Sequence, residues 1–584
     1  MKSSKNIIES YLRKDDWRVK ENSNAPYSFG SMNKYITAEV SKDYWLREVY
    51  PEYISKAYVD GYIHLHDLGG LTLYCTGYSL KDIIMKGVRG VSNIPTSSPA
   101  KHFDSILNQC ANLITVYQNE IMGAVAFNGF DTLLAPFVKQ DKLTYTEVKQ
   151  HMQNFIFSIN SNSRGGAEPA FFNLTFDLTP PEDMIDDYCM LGGDFVSFTY
   201  RSCQQEMDLI NRVFYEIMLA GDSEGKLFAY PIPTYNIHER FDWDNPNNKL
   251  LWEMAGKYGT PYFANFINSD LDISDVRSMC CRLRLDLTEL RHRNGGLFGA
   301  GDSTGSIGVV TINLPRLGYE ANGSEEAFFE LLDKYLNIAK ESLEIKRDWL
   351  QKNVIETRLI PAYMEYVGTI NNHFSTIGIL GMNEMCENFM GKNILDDEAH
   401  GFCVKVGEYI RQKLLDFQSE TGHLYNYEAT PAESTCYRLA LLDKKKYPDI
   451  ITQGTGKDIY YTNSCHIPVG LIEDINSTFK HQEDLQSQFT GGTVIHCYLE
   501  GAIPGEHAKQ IVKSMFQTYK VPYMSLSPIS RYCKNHGYID ENVDKCPVCK
   551  ERLSMFQRIT GYLRCVDNFN RGKRAEFKDR KQLC

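Results

Sequence analysis

RITGYLR, residues 558–564, is an uncharged stretch closed at each end by an arginine, with a glycine at its centre. Gly561 has no Cβ, so a partner atom can approach its α-carbon more closely than at any other residue type; an isolated Gly-Tyr otherwise reads as a turn. Twelve residues before it stands Cys549, the last cysteine of CKNHGYIDENVDKCPVC (533–549), and beyond it runs NFNRGKRAEFKDRK (568–581). From about residue 525 the chain is richer in Cys, Lys, Arg and Gly than before. Such a small, loop-rich appendage needs a staple.

The cysteine string supplies one. Cys533, His536, Cys546 and Cys549 are spaced C-x2-H-x9-C-x2-C. Two such pairs on tight turns converge as a tetrahedral thiolate/imidazole site, which suits zinc, and four protein ligands leave no position open for catalysis. The alternatives are two unrelated thiol pairs, or a redox pair at Cys546 and Cys549. His536 is the ligand that can turn to solvent instead. A zinc ribbon also occurs in nucleic-acid-binding modules, but a net charge of −12 lacks the basic surface that coating nucleic acid requires. A nucleotide substrate is compatible with that charge, because a few local donors or a helix N-terminus hold a triphosphate.

The 584 residues are 43% hydrophobic and 23% charged, an ordinary globular balance that allows one very large barrel or several smaller domains. There is no basic flank and apolar run at the N-terminus, and no apolar stretch of about 18 residues. The chain reads as cytoplasmic, without a membrane span. Its 16 cysteines are therefore expected to be reduced thiols, each by itself a small buried hydrophobe.

Helical periodicity is clearest over Glu325–Lys352 and roughly Glu398–Glu420, the second stopping at Thr421-Gly422. A helix is expected around Val40–Tyr58, and a long helix or helical hairpin over Lys101–Lys139. Phe171–Leu178, Ile307–Leu314 and Thr493–Leu499 read as strands between them. Strands alternating with helices imply an α/β architecture.

Around Gly561 the sequence resembles glycyl-radical enzymes, whose radical glycine lies in an R-[VI]-x-G-Y motif near the C-terminus. The resemblance to anaerobic, class III ribonucleotide reductases then covers nearly the whole chain. It runs through YIHLHDLGGLTLYC (62–75), PIPTYNI (231–237), YGTPYFANFINSD (258–270), RSMCCRLRLD (277–286) and GSIGVVTINLPR (305–316). It continues in NHFSTIGILGMNE (372–384), LYNYEATPAESTCYR (424–438) and FTGGTVIH (489–496). It implies a ten-stranded α/β barrel with a finger loop through its centre, occupying 1–525, then a zinc-binding ribbon at 526–552 and a glycyl-radical loop and tail at 553–584. Periodicity alone does not reveal that barrel.

The resemblance also assigns chemistry. Gly561 would carry the radical, spread over its two neighbouring peptide groups and installed by a separate radical-SAM, iron–sulfur activase. An S–H bond is close in strength to the ribose C–H bonds, so a thiyl radical can abstract the 3′-hydrogen and later return it. The family's thiyl position, just before an arginine at the finger-loop tip, falls on Cys281. Its neighbour Cys280 is the alternative carrier, or a redox partner or packed loop residue. Cys75 is the candidate thiol that helps reduce the sugar radical. Thr430, Ala432, Glu433 and Ser434 match a segment opening onto a helix near the substrate phosphates, where backbone N–H groups suit a polyanion; a Pro-initiated helix start is the plainer account. His64, His66 and Asp67 match the barrel wall near the ribose, or form a satisfied polar core. Glu384 stands near the sugar, or serves as a helix-start carboxylate.

Two departures bear on regulation and reductant. Longer family members begin with an ATP cone, and here the barrel region is entered by about residue 12, so no N-terminal ATP cone is expected. Specificity control by dNTP or ATP effectors at a homodimer interface remains, through helices around 101–150. Formate-using members carry an asparagine where Ser306 stands, which favours a thioredoxin- or glutaredoxin-like dithiol over formate. Cys565, in place of an expected proline, is unexplained. The resulting expectation is anaerobic reduction of ribonucleoside triphosphates for DNA synthesis, without direct nucleic-acid binding. The alternative is a pyruvate formate-lyase-like glycyl-radical enzyme, which uses an adjacent cysteine pair.

Overall fold

A computed structural model describes residues 3–15, 19, 26–89, 95–268, 303–561 and 563–583. Two sets of five parallel strands make the centre. The first is β1 (Cys75–Tyr78), β2 (Val125–Phe127), β3 (Phe172–Phe176), β4 (Ile232–His238) and β5 (Tyr262–Phe266), each paired to the next. The second is β6 (Gly305–Asn313), β7 (His373–Leu380), β8 (Leu424–Glu428), β9 (Ile495–Leu499) and β10 (Tyr523–Pro528). A parallel bridge from Glu428 to Gly491 joins β8 to the approach to β9. The sets meet antiparallel at both edges, Cys75 opposite Ser306 and Tyr523 opposite Ala264, so the ring closes. This is the expected ten-stranded α/β barrel. A short strand, Ile63–Leu65, extends the β1 edge along β6, with His64 opposite Thr311.

Parallel neighbours need crossover connections, and helices supply them on the outside. They include α1 (Phe103–Glu120) and α2 (Tyr145–Ile159) in the first half, then α3 (Glu325–Leu350), α4 (Met382–Met390), α5 (Asp397–Thr421) and α6 (Glu433–Lys446) in the second. Asp396 caps α5 by accepting from Glu398 N and Ala399 N, and Gly422 ends it at φ +73°, a left-handed position natural to glycine. The region 101–139 is not one helix or a helical hairpin: the buried apolar triplet Val125–Phe127 enters the sheet between two helices. The expected helix at 40–58 is broken at Pro51, which separates Phe29–Val49 from Glu52–Asp60.

Alternation along each strand sorts side chains by face. Phe176, Tyr235, Phe263, Val310, Ile377 and Tyr427 pack outward into the main helix–sheet core. The opposite face carries Asn173, Thr234, Thr311, Thr376 and Asn426, all buried. Tyr262, Ala264, Phe266, Val494 and Tyr523 form a separate apolar cluster there. Both faces are covered, but the inner one is substantially polar.

The barrel's last strand ends at Pro528. A four-stranded sheet then follows in the order β12–β11–β13–β14, made of β11 (Ser530–Cys533), β12 (Gly537–Ile539), β13 (Ser554–Arg558) and β14 (Leu563–Cys565). One sheet therefore carries both the cysteine-bearing turns and the strands flanking Gly561. Helix α7 (Arg571–Asp579) completes the tail.

Candidate active site

Gly561 is held against the barrel at both its N–H and its C=O. The Tyr262 hydroxyl, from β5, donates to the Gly561 carbonyl, and Arg558 Nη1 donates to the same oxygen at 3.3 Å. The Gly561 N–H donates to Glu433 Oε1 at 3.4 Å, and Glu433 Oε2 pairs with Arg564 at 3.5 Å. Arg558 lies 4.0 Å over the Tyr262 ring and donates to the carbonyls of Gly259 and Thr260. Both arginines that close RITGYLR thus hold the glycine's surroundings in place.

Gly561 opens on a cavity of approximately 990 Å³ that His64, His66, Asp67, Tyr262, Glu433 and Ser434 also line. His66 Nε2 lies 2.8 Å from Thr311 Oγ1, and His64 Nδ1 lies 3.2 Å from Arg438 Nη1. Burial holds His66 down to about 3, with Lys346 and Arg438 adding to the effect. Burial, the His66 ring and the Arg438 guanidinium hold His64 well below the usual histidine range. Both rings are neutral at physiological pH and act as hydrogen-bonding wall groups. Lys34, Lys42, Arg164, Arg438, Lys445 and Arg564 outnumber the cavity's carboxylates, so an acidic protein presents a cationic pocket.

Helix α6 begins at Glu433, and its first-turn N–H groups have no intrahelical acceptor. Glu433, Ser434 and Thr435 line the cavity there. Ala432 does not offer its N–H, which donates to Asn463 Oδ1 at 2.9 Å. Thr430 is buried against Gly378, where a Cβ would stand 2.6 Å from its hydroxyl.

Cys75 is on the inner face, because Tyr78 stacks outward on Tyr117 of α1 and alternation reverses the side chain three residues earlier. Ser306, directly opposite, is bonded to Thr376 Oγ1 at 2.8 Å, which donates to Asn426 Oδ1 at 2.7 Å. Glu384 does not line the cavity. It is fully buried in the first turn of α4, accepting from Thr462 N at 3.0 Å and Thr462 Oγ1 at 2.6 Å. Cys280 and Cys281 lie outside the described residues.

The ligand atoms of Cys533, His536, Cys546 and Cys549 all lie within 4.8 Å of one another, a spacing that admits a four-coordinate ion. Cys533 Sγ is 3.5 Å from Cys549 Sγ, and His536 Nδ1 is 3.4 Å from Cys546 Sγ. His536 is turned towards the thiols, not away from them.

The family model for anaerobic ribonucleoside-triphosphate reductase matches residues 21–583. The chain belongs to that family. It is 26% identical to the anaerobic ribonucleoside-triphosphate reductase of Salmonella typhimurium over 93% of this chain and 80% of that protein. The enzyme of that name from Enterobacteria phage T4 is 23% identical, with 96% of each chain covered. In fold it matches the anaerobic ribonucleotide reductase of Thermotoga maritima, solved with dATP in the specificity site, at a TM-score of 0.76 and 21% identity, covering 96% and 94% of the two chains.

Several residues of this reductase's site escape a reading of its sequence. Tyr262 and Arg438 sit inside quoted family-like runs, yet nothing in their spacing tells which side chain reaches Gly561 or His64. Asn463 lies in a loop with no pattern at all. Among the described residues no helix is long and apolar enough to cross a membrane.

Proposed function

We propose that this reductase converts ribonucleoside triphosphates to 2′-deoxyribonucleoside triphosphates by relaying a radical from Gly561 to Cys281. A separate radical-SAM activase removes one hydrogen atom from the Gly561 α-carbon. The glycyl radical then takes the hydrogen of the Cys281 thiol, and the resulting thiyl radical takes the ribose 3′-hydrogen. The 2′-hydroxyl leaves as water with one added proton. Two electrons and a proton from a reductant restore the sugar, and Cys281 returns the 3′-hydrogen. The sulfur and glycine are regenerated, so the net change is one two-electron reduction.

The observation that carries this reading is the seating of Gly561: buried, held at both its N–H and its C=O, and exposed to the same cavity as His64, His66 and Asp67. The basic side chains and the open first turn of α6 suit a triphosphate. Cys75 on the inner face supplies a thiol for reduction of the sugar, with a dithiol protein or formate as the ultimate donor. Cys533, His536, Cys546 and Cys549 fit a structural zinc, which would supply folding energy to the sheet that presents Gly561. The Thermotoga maritima enzyme is described with dATP in its specificity site; by analogy dNTP effectors act here at a homodimer interface through α1 and α2. Electron paramagnetic resonance after anaerobic activation tests the whole scheme. A glycyl doublet, lost in Gly561→Ala, with triphosphate reduction in the same sample, is expected; turnover without a glycyl signal would overturn it.

A further inference from the structure

We infer that Arg580 is a positioning residue for Gly561: a guanidinium from the far end of the chain that grips the backbone leading into the radical loop. The inference rests on Gly561 as the radical site. Arg580 Nη1 donates to the Arg558 carbonyl at 3.0 Å and to Gln557 Oε1 at 2.8 Å, and Nη2 donates to the Ile559 carbonyl at 2.9 Å. The two carbonyls belong to the residues immediately before Thr560-Gly561. Gln557 is itself anchored to β10 through Ser527 O at 2.8 Å. The guanidinium plane also lies 4.0 Å over the Tyr498 ring on β9. Arg580 therefore fixes the loop to two barrel strands at once, and its side chain is wholly buried.

Charge neutralisation does not account for it. Glu576 Oε1 accepts from Arg580 at 2.9 Å, but Glu576 is already paired with Lys573, equally buried on α7. Removing the Arg580 charge leaves a balanced Lys573–Glu576 pair rather than an orphaned carboxylate, and leaving a buried charge alone is what costs most. What only arginine provides is a planar fork that reaches two successive carbonyls while stacking on an aromatic ring. Hydrogen-atom transfer between two fixed partners depends on their spacing, and a misplacement of about 1 Å is enough to cost on the order of a hundredfold in rate.

The test uses the full-length protein with its activase, comparing wild type, Arg580→Gln and Arg580→Lys. Folding is checked by thermal midpoint and bound zinc. Glycyl radical is quantified by electron paramagnetic resonance, and kcat per radical and KM for the triphosphate are measured separately. In Arg580→Gln the glycyl doublet still forms, while kcat per radical falls by on the order of tenfold and KM stays within about twofold, as expected of lost alignment rather than lost binding. Arg580→Lys, which keeps the charge and loses the fork, falls between the two. If Arg580→Gln does not fold, Arg580→Lys alone carries the comparison. Wild-type kcat per radical in the folded variants would overturn the assignment of Arg580. Absence of a glycyl doublet in wild type would instead overturn the radical reading beneath it.

Discussion

The Tyr262 hydroxyl donates a hydrogen bond to the carbonyl oxygen of Gly561, joining β5 to a loop 299 residues later in the chain. The ring is buried beneath the Arg558 guanidinium, so packing helps to aim the hydroxyl. Tyr262→Phe keeps the ring and removes one bond, with about 1 kcal/mol lost from the seating of the loop. Radical yield is expected to hold while turnover per radical drops several-fold. Unchanged turnover per radical would show that Arg558 alone holds the carbonyl.

The cysteine cluster makes a prediction about folding rather than chemistry. Metal analysis of purified protein is expected to give about one zinc per chain, falling sharply in Cys546→Ser. Because the binding energy of such a site is also local folding energy, the same variant is expected to loosen the sheet of β11–β14 and to be activated poorly. Equal zinc in wild type and variant would remove the metal assignment.

Dioxygen attacks a glycyl radical and cuts the backbone at that residue. Air exposure of the activated enzyme is expected to release a fragment beginning at or next to Tyr562 and ending at Cys584, seen by mass spectrometry under denaturing conditions. Gly561→Ala is expected to stay intact. Cleavage at another position, or equal cleavage in that variant, counts against Gly561.

Beside Glu384, Glu387 shares the Asn383 amide, which donates to Glu384 Oε1 at 3.2 Å and to Glu387 Oε2 at 3.0 Å. Burial, and then the charge on Glu384, push Glu387 up to about 7. A carboxyl that binds its proton more tightly in the folded chain favours folding at low pH. That contribution is present below the unfolded pKa of about 4.3 and is lost as pH rises through about 7. Glu387→Gln is therefore expected to raise the thermal midpoint at pH 8 and to leave it nearly unchanged at pH 4. The full shift corresponds to roughly 4 kcal/mol, and partial exposure reduces this to about 1 kcal/mol. An equal change at both pH values would mean that the substitution acts through packing.

The features of this chain are legible in its sequence to different degrees. Candidate metal ligands are few, chemically distinctive and close in sequence, so the clustering of Cys533, His536, Cys546 and Cys549 is legible in their spacing. The proposed radical role of Gly561 is suggested only by its motif, because a radical site and a turn glycine use the same residue for the same lack of a Cβ. The barrel was not readable from periodicity. Its inner face carries Asn173, Thr234, Thr376 and Asn426, which alternate with apolar residues as on a half-exposed strand, yet all are buried around a central site. The triplet Val125–Phe127 was too short to interrupt a helical pattern over 101–139. Glu384 and Glu433 are both carboxylates at the first turn of a helix, and only the tertiary partners, Thr462 for one and Gly561 with Arg564 for the other, separate a packed support from a group at the cavity. Arg580 has no distinguishing mark among the many basic residues of the tail.

The last prediction separates three cysteines by where each would act. Cys281 is the proposed thiyl carrier, so Cys281→Ala is expected to accept the glycyl radical from the activase and yet give no product with any reductant. That combination would mean that the first hydrogen transfer is prepared and the second has lost its abstractor. Cys75, on the inner face opposite Ser306, is the proposed thiol that delivers reducing equivalents after water has left the sugar. Cys75→Ala is expected to form the radical and bind substrate, to lose most turnover, and to consume radical as stalled intermediates decay. Cys280 adjoins Cys281 in sequence, and Cys280→Ala is expected to keep most of its activity if it packs the loop. Product per radical, measured for each variant with formate and then with a reduced thioredoxin-like protein, distinguishes them. Normal turnover in Cys281→Ala with a dead Cys280→Ala would move the thiyl carrier by one residue. Full turnover on formate alone would overturn the expectation of a dithiol reductant drawn from Ser306, whose hydroxyl is engaged with Thr376, and would make Cys75 an assistant to formate oxidation rather than half of a thiol relay.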